Sequence, residues 1–470
     1  MVTMPAAYLA EIVGGEVVAG PPEAVLRGAE IDSRQLVPGM AFFALPGERT
    51  DGHAHVEAAA RAGARVVVVS RFDESIAPQL GKPGTPQIAV VLVPDVAEAL
   101  RALAVHHRGT LRCTVVGITG STGKTSTKDF LVAALGEGCS CVATVGNRNN
   151  ELGVPLTVFR AGPRTDVLIV EMGMRGEGQI ARLCEIARPS VGIVTNIGQT
   201  HMELLGSEDA IARAKGELVE CVPADGRVFL NGDDVWSRSL AERASAPITW
   251  YGMGEAADVR ASDVSVDDLG RPSFTLSAGG EDCRVTLPVP GRHHAYTSAA
   301  AAATALYLGV SLEQIASRLA DVRVSGMRMQ VFVAANGVTI INDAYNASPT
   351  SMRAAVATLA DMTSHGARIA VLGDMAELGS LTELAHFRLG EEIARSGIET
   401  LVTAGPRASR IAEGALAAGM PDRSVRPCAN VDEASEVLDD LLRAGDIVLV
   451  KASRSMGLER IVERILATDA

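Results

Sequence analysis

The sequence predicts an α/β protein of three domains, and two observations carry that expectation. Short β-branched runs alternate with helix-patterned segments along most of the 470 residues, the signature of parallel sheets covered by helices. Midway through the first half, a strand breaks into a glycine loop and resumes as a helix, at Arg112–Ser126. The length suits about three domains. We read them as a small N-terminal α/β domain over residues 1–107, a central parallel-sheet domain over 108–324, and a C-terminal Rossmann-like α/β domain over 325–470.

Composition narrows the class. Hydrophobic residues make up 47% and charged residues 21%, as in an ordinary globular protein. A net charge of −13 with only 3% aromatic residues argues against nucleic-acid binding. The first residues lack a basic segment ahead of an apolar one, so no signal peptide is expected. The longest apolar stretch, residues 295–310, is alanine-rich and interrupted by Tyr296, Thr297 and Ser298. It reads as a buried helix, and no membrane span is expected. Seven scattered cysteines, with Cys139 and Cys141 too close for a zinc pair, point to a reducing compartment, the cytoplasm.

In the first domain a helix is expected from Leu9 and a strand at Met40–Leu45. A helix should follow Asp51–His55 and run through Ala64, with strands at Arg65–Val69 and Ile88–Val93. Lys82–Pro86 reads as a loop. In the second, strands are expected at Thr114–Thr119, Asp166–Glu171 and Pro189–Asn196, and antiparallel strands between Asp233 and Leu287. In the third, strands are expected at Val338–Ile341, Arg368–Leu372, Thr400–Thr403 and Asp446–Val450.

The loop Gly120-Ser-Thr-Gly-Lys-Thr125 carries chemistry. Loop N–H groups and a helix N-terminus suit phosphate oxygens, Lys124 adds a point charge, and the Thr125 hydroxyl can ligand Mg²⁺. The pattern is G-x-x-G-K-T, shorter than the usual G-x-x-x-x-G-K-[ST]. In a doubly wound sheet, ligands bind at the C-terminal strand ends, which would align Lys124, Glu171 and His201 along one edge. Glu171 suits a magnesium ligand. Lys215, on a periodic helix, reads from composition alone as a solvated charge. The polar cluster Asp343–Pro349 and the segment Lys451–Arg454 could contact a nucleotide or form simple turns. Two chemistries stay open: ATP hydrolysis driving a ligation, and phosphoryl transfer by a kinase.

Thr119-Gly-Ser-Thr-Gly-Lys-Thr125 resembles the phosphate loop of the Mur ligases, the ATP-dependent amide-forming enzymes of peptidoglycan synthesis, whose plan folylpolyglutamate synthase shares. Asn149–Thr157, Ile340–Pro349, Val371–Gly379 and Val450–Arg454 resemble the branch that attaches D-alanyl-D-alanine to UDP-MurNAc-tripeptide. Leu372-Gly-Asp-Met-Ala-Glu-Leu-Gly379 is the most specific of these strings. Asp32-Ser-Arg34 with Asp51-Gly-His53 resembles a UDP-binding first domain, and the resemblance covers nearly the whole chain.

The resemblance implies roles. Gly120, Ser121, Thr122, Gly123, Lys124, Thr125 and Ser126 would hold ATP, with Thr297, Arg328 and Asp343. Thr125 and Glu171 would share one Mg²⁺ and His201 a second. Lys215 would be carbamylated by CO₂ into a carboxylate-like metal ligand. Ser33, Arg34, Asn149 and Asn150 would lie on the UDP-substrate side, with Tyr345 and Asn346 in the third-domain loop. Apart from the resemblance, a monomer is expected, in the cytoplasm that the cysteines indicate.

Pro290–Thr297 matches the family's G-x-H-N-x-x-N segment except that His294 and Thr297 replace both asparagines, the second of which helps place adenine. Ser348 stands where Asn is usual. Two rivals follow: a sister ligase that adds a single amino acid, and a nucleotide-binding protein without ligase activity. Retention of Lys124, Glu171, His201 and Lys215 favours the ligase.

Overall fold

A computed structural model describes residues 1–47, 50–72 and 88–467. The expected loop at Lys82–Pro86 lies outside them. The chain divides into two compact units. The first comprises Met1–Gly117, Glu137–Met174 and Gly178–Val191, and the second Ile118–Gly136, Arg175–Glu177 and Gly192–Ala470.

In the first unit, the N-terminal sheet has five strands in the order Glu16–Ala19, Ala89–Leu92, Val66–Val69, Ala41–Phe43 and Ala29–Glu30. All neighbours are parallel except the first pair. Val66 to Val69 are each fully buried, as expected of a parallel strand covered on both faces. Gly52–His55 is a 3₁₀ turn, and the helix after it spans Val56–Arg61, ending short of the expected Ala64. Gly63 is the reason: its φ of +91° turns the chain left-handed, a conformation that stops a helix and suits glycine. The helix Val96–Thr110 starts on the Asp95 carboxylate, which accepts the N–H groups of Ala97 and Glu98 at 2.7 and 3.0 Å. The same unit holds Val167–Glu171, which pairs in parallel with Cys141–Ala143.

In the second unit, the helix Lys124–Leu135 begins where the sequence places it. Between Asp233 and Leu287 the expectation of antiparallel strands is half right. Val259–Val266, Pro272–Ala278 and Glu281–Thr286 form an antiparallel meander. Ile248–Gly252, however, runs parallel to Arg227–Asn231 and to Val259–Val266. The helix Ser237–Ala241 lies in the connection before it, and such a crossover returns the chain in the same direction.

The C-terminal sheet has six strands in the order Gln330–Val333, Thr339–Asn342, Ile447–Lys451, Arg368–Gly373, Thr400–Ala404 and Val425–Cys428. Only the first pair is antiparallel. Its two faces build separate apolar cores, one around Met352, Leu359 and Leu401, the other around Val371, Val450 and Ile461. Two of these strands, Gln330–Val333 and Val425–Cys428, escaped the sequence reading. Both are edge strands, and the second contains Pro427, which has no N–H for a ladder and is tolerated at an edge.

Ser348 heads the helix Pro349–Asp361, accepting the Ser351 N–H, while the Ser351 hydroxyl faces the Ser348 N–H at 2.9 Å. Ser348→Ala should therefore lower stability by about 1 kcal/mol in urea unfolding, and Ser348→Asn should not, since asparagine caps as well as serine.

Candidate active site

The phosphate loop is held by the segment that follows the strand Val191–Val194. Asn196 bridges Thr122 twice, its Oδ1 accepting the Thr122 N–H at 2.9 Å and its Nδ2 donating to the Thr122 hydroxyl at 2.7 Å. The Thr195 hydroxyl donates to the Thr122 carbonyl at 2.6 Å, and the Ser121 N–H donates to the Asn196 carbonyl at 2.9 Å. Ser121 Oγ also receives the Gly198 N–H at 2.9 Å and the Thr200 hydroxyl at 3.1 Å. Glycine is required at 120, where φ is +145° and a Cβ would lie 1.8 Å from Thr195 Oγ1. Gly123, at φ +80°, turns the chain into the helix.

Lys124 opens that helix, and its Nζ donates to the Gly120 carbonyl at 2.6 Å, curled over its own loop. Thr125 beside it is buried, and Ser126 follows in the first turn. Lys215 occupies the helix Glu208–Cys221 and is 1% exposed, so its reading as a solvated charge is overturned. Residues of that helix on either side of it, Ala214 and Leu218, are fully buried, and the lysine shares their face. Burial, and then repulsion from the Lys124 ammonium, hold the Lys215 amine well below the ordinary lysine range.

His201 sits in a left-handed conformation (φ 57°) with its Nδ1 2.5 Å from Glu377 Oε2. Glu377 is left-handed as well (φ 61°), and its carbonyl accepts the Glu203 N–H at 3.2 Å. The imidazole beside it holds the Glu377 carboxyl below the usual range. The loop carrying Glu377 is firmly seated. Asp374 accepts the N–H groups of Arg407 and Ala408, Ser453 Oγ accepts that of Ala376, and His386 Nε2 accepts that of Met375 at 3.0 Å.

The third-domain residues also converge. Lys451, buried, pairs with Asp343 at 2.6 Å and donates to the Asn346 carbonyl at 2.7 Å. Arg328 lies over the Tyr345 ring, 4.2 Å from its centroid. Thr297 is buried on the helix His294–Tyr307. His294 stacks on Phe130 with centroids 5.2 Å apart, and neither ring nitrogen has a hydrogen-bond partner among the described residues. Nearby, a cavity of 280 Å³ is lined by Gly232, Asp233, Asp234, Val235 and Arg238.

The remaining candidates lie in the first unit. Glu171 ends its strand 1% exposed, and its N–H donates to Thr144 Oγ1 at 3.0 Å. Arg34 folds back onto Asp32 at 2.8 Å, beside the partly buried Ser33, and holds the Asp32 carboxyl down at about 2. Asn150 Oδ1 accepts the Gly153 N–H at 2.9 Å and the Asn149 carbonyl that of Gly173 at 2.8 Å. Sequence reading passed over Asn196, Thr195, Asp234 and Glu377. The Leu372–Gly379 string contains Glu377, but the register that aims it at His201 is tertiary.

A glycine loop between a strand and a helix, with Lys124 curled over it and Lys215 buried, marks an enzyme of the nucleotide-dependent class. Family models match three stretches: the Mur ligase family catalytic domain over residues 26–108, the Mur ligase middle domain over 118–305, and the Mur ligase glutamate ligase domain over 327–454. The chain belongs to the Mur ligase family. It is 41% identical to the UDP-N-acetylmuramoyl-tripeptide–D-alanyl-D-alanine ligase of Mycobacterium tuberculosis, across 100% of this chain and 99% of that one. Its fold matches MurF from Acinetobacter baumannii with a TM-score of 0.86 at 29% identity, covering 99% of both chains. It also matches MurF from Thermotoga maritima in complex with ADP, with a TM-score of 0.78 at 27% identity, over 94% of this chain and 99% of that one.

His293 gives the site a pH signature. Burial, opposed by the Asp343 carboxylate, lowers it from 6.5 to about 4. Between those values the unfolded chain binds a proton that the folded chain refuses, so stability is complete above the unfolded value and is lost as pH falls through the window. Thermal unfolding should show a lower Tm at about pH 5 than at about pH 7.5, and His293→Asn should reduce that difference, the remainder coming from His294, His107 and His386, which burial also holds below the usual range.

Proposed function

We propose that this chain joins D-alanyl-D-alanine to UDP-MurNAc-tripeptide at the expense of ATP, giving UDP-MurNAc-pentapeptide, ADP and phosphate in peptidoglycan synthesis. The observation that carries the reading is full-length likeness at 41% identity to a relative bearing that name. The tripeptide's terminal carboxylate attacks the γ-phosphorus of ATP, the bond to the bridging oxygen breaks, and an acyl phosphate and ADP result. The dipeptide amine then attacks the acyl carbon, loses its proton, and expels phosphate.

The chain's own residues position and neutralise. Within Gly120–Ser126 the Ser121 and Thr122 amides are held by Asn196, so the amides from Gly123 onward and the helix N-terminus face phosphate oxygens, and Lys124 exchanges its contact with the Gly120 carbonyl for one with the nucleotide. Arg328, Asp343 and Thr297 are assigned to ATP. Ser33, Arg34, Asn149 and Asn150 are assigned to the UDP-substrate, and Tyr345 and Asn346 to the same third-domain loop. We divide the work at residues 107/108 and 324/325, the enzyme acting as a cytoplasmic monomer. Among the described residues no helix is long and apolar enough to cross a membrane.

The donor set assigned to Mg²⁺ is Thr125, Glu171, His201 and Lys215, the last as a carbamate. Oxygen-rich sets of this kind suit a hard cation, which when bound neutralises phosphate charge. Lys215 fits the modification on physical grounds. A carbamate forms when a neutral amine attacks CO₂ and loses a proton, and the buried Lys215 amine is held toward its neutral form. The product places an anion where a cation would repel Lys124.

Phosphate release from MgATP should require UDP-MurNAc-tripeptide and D-alanyl-D-alanine together, with a pentapeptide product by mass. Lys215→Ala should abolish it, and a short carboxylic acid at millimolar concentration should restore part. Release with a single amino acid in place of the dipeptide would assign a sister ligase instead. Full activity of Lys215→Ala would end the carbamate assignment.

A further inference from the structure

Two loops assigned to the UDP-substrate, Asp32–Arg34 and Asn149–Asn150, are more than a hundred residues apart in sequence, and in the first unit one ion pair, between the half-buried Arg148 and the buried Glu30, ties them together. Glu30, the last residue of the edge strand Ala29–Glu30, is 5% exposed. Its Oε1 accepts the N–H groups of Ile31 at 2.9 Å and Asp32 at 3.3 Å, which fixes the backbone entering the Ser33–Arg34 turn. Its Oε2 accepts Arg148 Nη2 at 2.9 Å, and the same Nη2 donates to Gln35 Oε1 at 2.7 Å, on the far side of that turn. Arg148 immediately precedes Asn149. Its backbone is closely backed, since a Cβ on Gly153 would lie 2.4 Å from the Arg148 Cα. The guanidinium therefore extends from a well-fixed point.

We propose that Arg148 and Glu30 are positioning residues for the UDP-substrate, setting the separation of the two loops without touching the substrate themselves. The proposal rests on the reading of both loops as substrate-binding. An exposed pair in this role would count for little. Here the carboxylate is almost wholly buried, and removal of the arginine leaves a charge that the interior does not solvate. That carboxylate also grips two backbone amides, so it cannot move toward water without carrying Ile31 and Asp32 with it.

The test is a double-mutant cycle read in binding and in kinetics on the full chain. Arg148→Met should weaken binding of UDP-MurNAc-tripeptide and raise its KM by about tenfold or more, while the KM values for ATP and D-alanyl-D-alanine stay near wild type. Glu30→Gln keeps an oxygen for the Ile31 and Asp32 amides but removes the charge. Combined with Arg148→Met it should recover a substantial part of the lost affinity, because a neutral amide tolerates burial. A general folding defect would move all three KM values and the Tm together, and would overturn the proposal. So would an unchanged KM in Arg148→Met, or a double variant whose losses simply multiply. Wild-type protein that binds ATP but no UDP-MurNAc-tripeptide would remove the functional reading, and the proposal with it.

Discussion

The approach of Gly120 to Thr195 is the constraint on which the rest of this site depends. No side chain fits between them, so the strand that ends at Thr119 can turn directly beneath Thr195. The hydroxyl of Thr195 and the amide of Asn196 can then grip the Thr122 peptide from both sides. The loop's backbone is thereby fixed before any nucleotide arrives, and the amides that follow from Gly123 into the helix are aimed in advance; preorganised donors stabilise developing charge at no cost in reorganisation. The same segment continues through Gly198 and Thr200, both bonded to Ser121, to His201. One short stretch thus sets the shape of the phosphate loop and the place of the histidine.

Around that rigid loop the charges are arranged asymmetrically. Two lysines, 124 and 215, share a neighbourhood, and one of them is fully buried. Such an arrangement is unfavourable while both are cations, and it becomes favourable if the buried one is converted to an anion. Glu377 sets its carboxylate against the His201 ring from a loop braced by Asp374, Ser453 and His386. Water exclusion matters here because an acyl phosphate is readily hydrolysed, and burial of reactive groups also strengthens every interaction among them.

Much of the fold was legible because periodicity and turn chemistry are local. The helix Lys124–Leu135 and the valine strands needed only their own residues to be recognised. Strand direction was less legible: Ile248–Gly252 looks like its antiparallel neighbours, and only the crossover before it makes it parallel. Val425–Cys428 was hidden by Pro427, which an edge position tolerates. In the site, the loop residues announced themselves by type and spacing, and Lys215 did not. A lysine on an amphipathic helix is ordinarily solvated, and its burial depends on what the helix packs against. Glu30, Arg148, Asn196 and Glu377 act through partners distant in sequence, so no local pattern marks them.

Activation of the tripeptide carboxylate by ATP as an acyl phosphate is the step on which the ligase reading turns. The most direct measurement is to label that terminal carboxylate with ¹⁸O, run the reaction with D-alanyl-D-alanine, and weigh the released phosphate. Attack of the carboxylate on the γ-phosphorus carries one of its oxygens into the phosphate that later leaves, so the phosphate should hold a single ¹⁸O and the new amide carbonyl should retain the other. Unlabelled phosphate accompanied by pentapeptide would contradict it, since the phosphoryl group would then have passed to water rather than to the substrate.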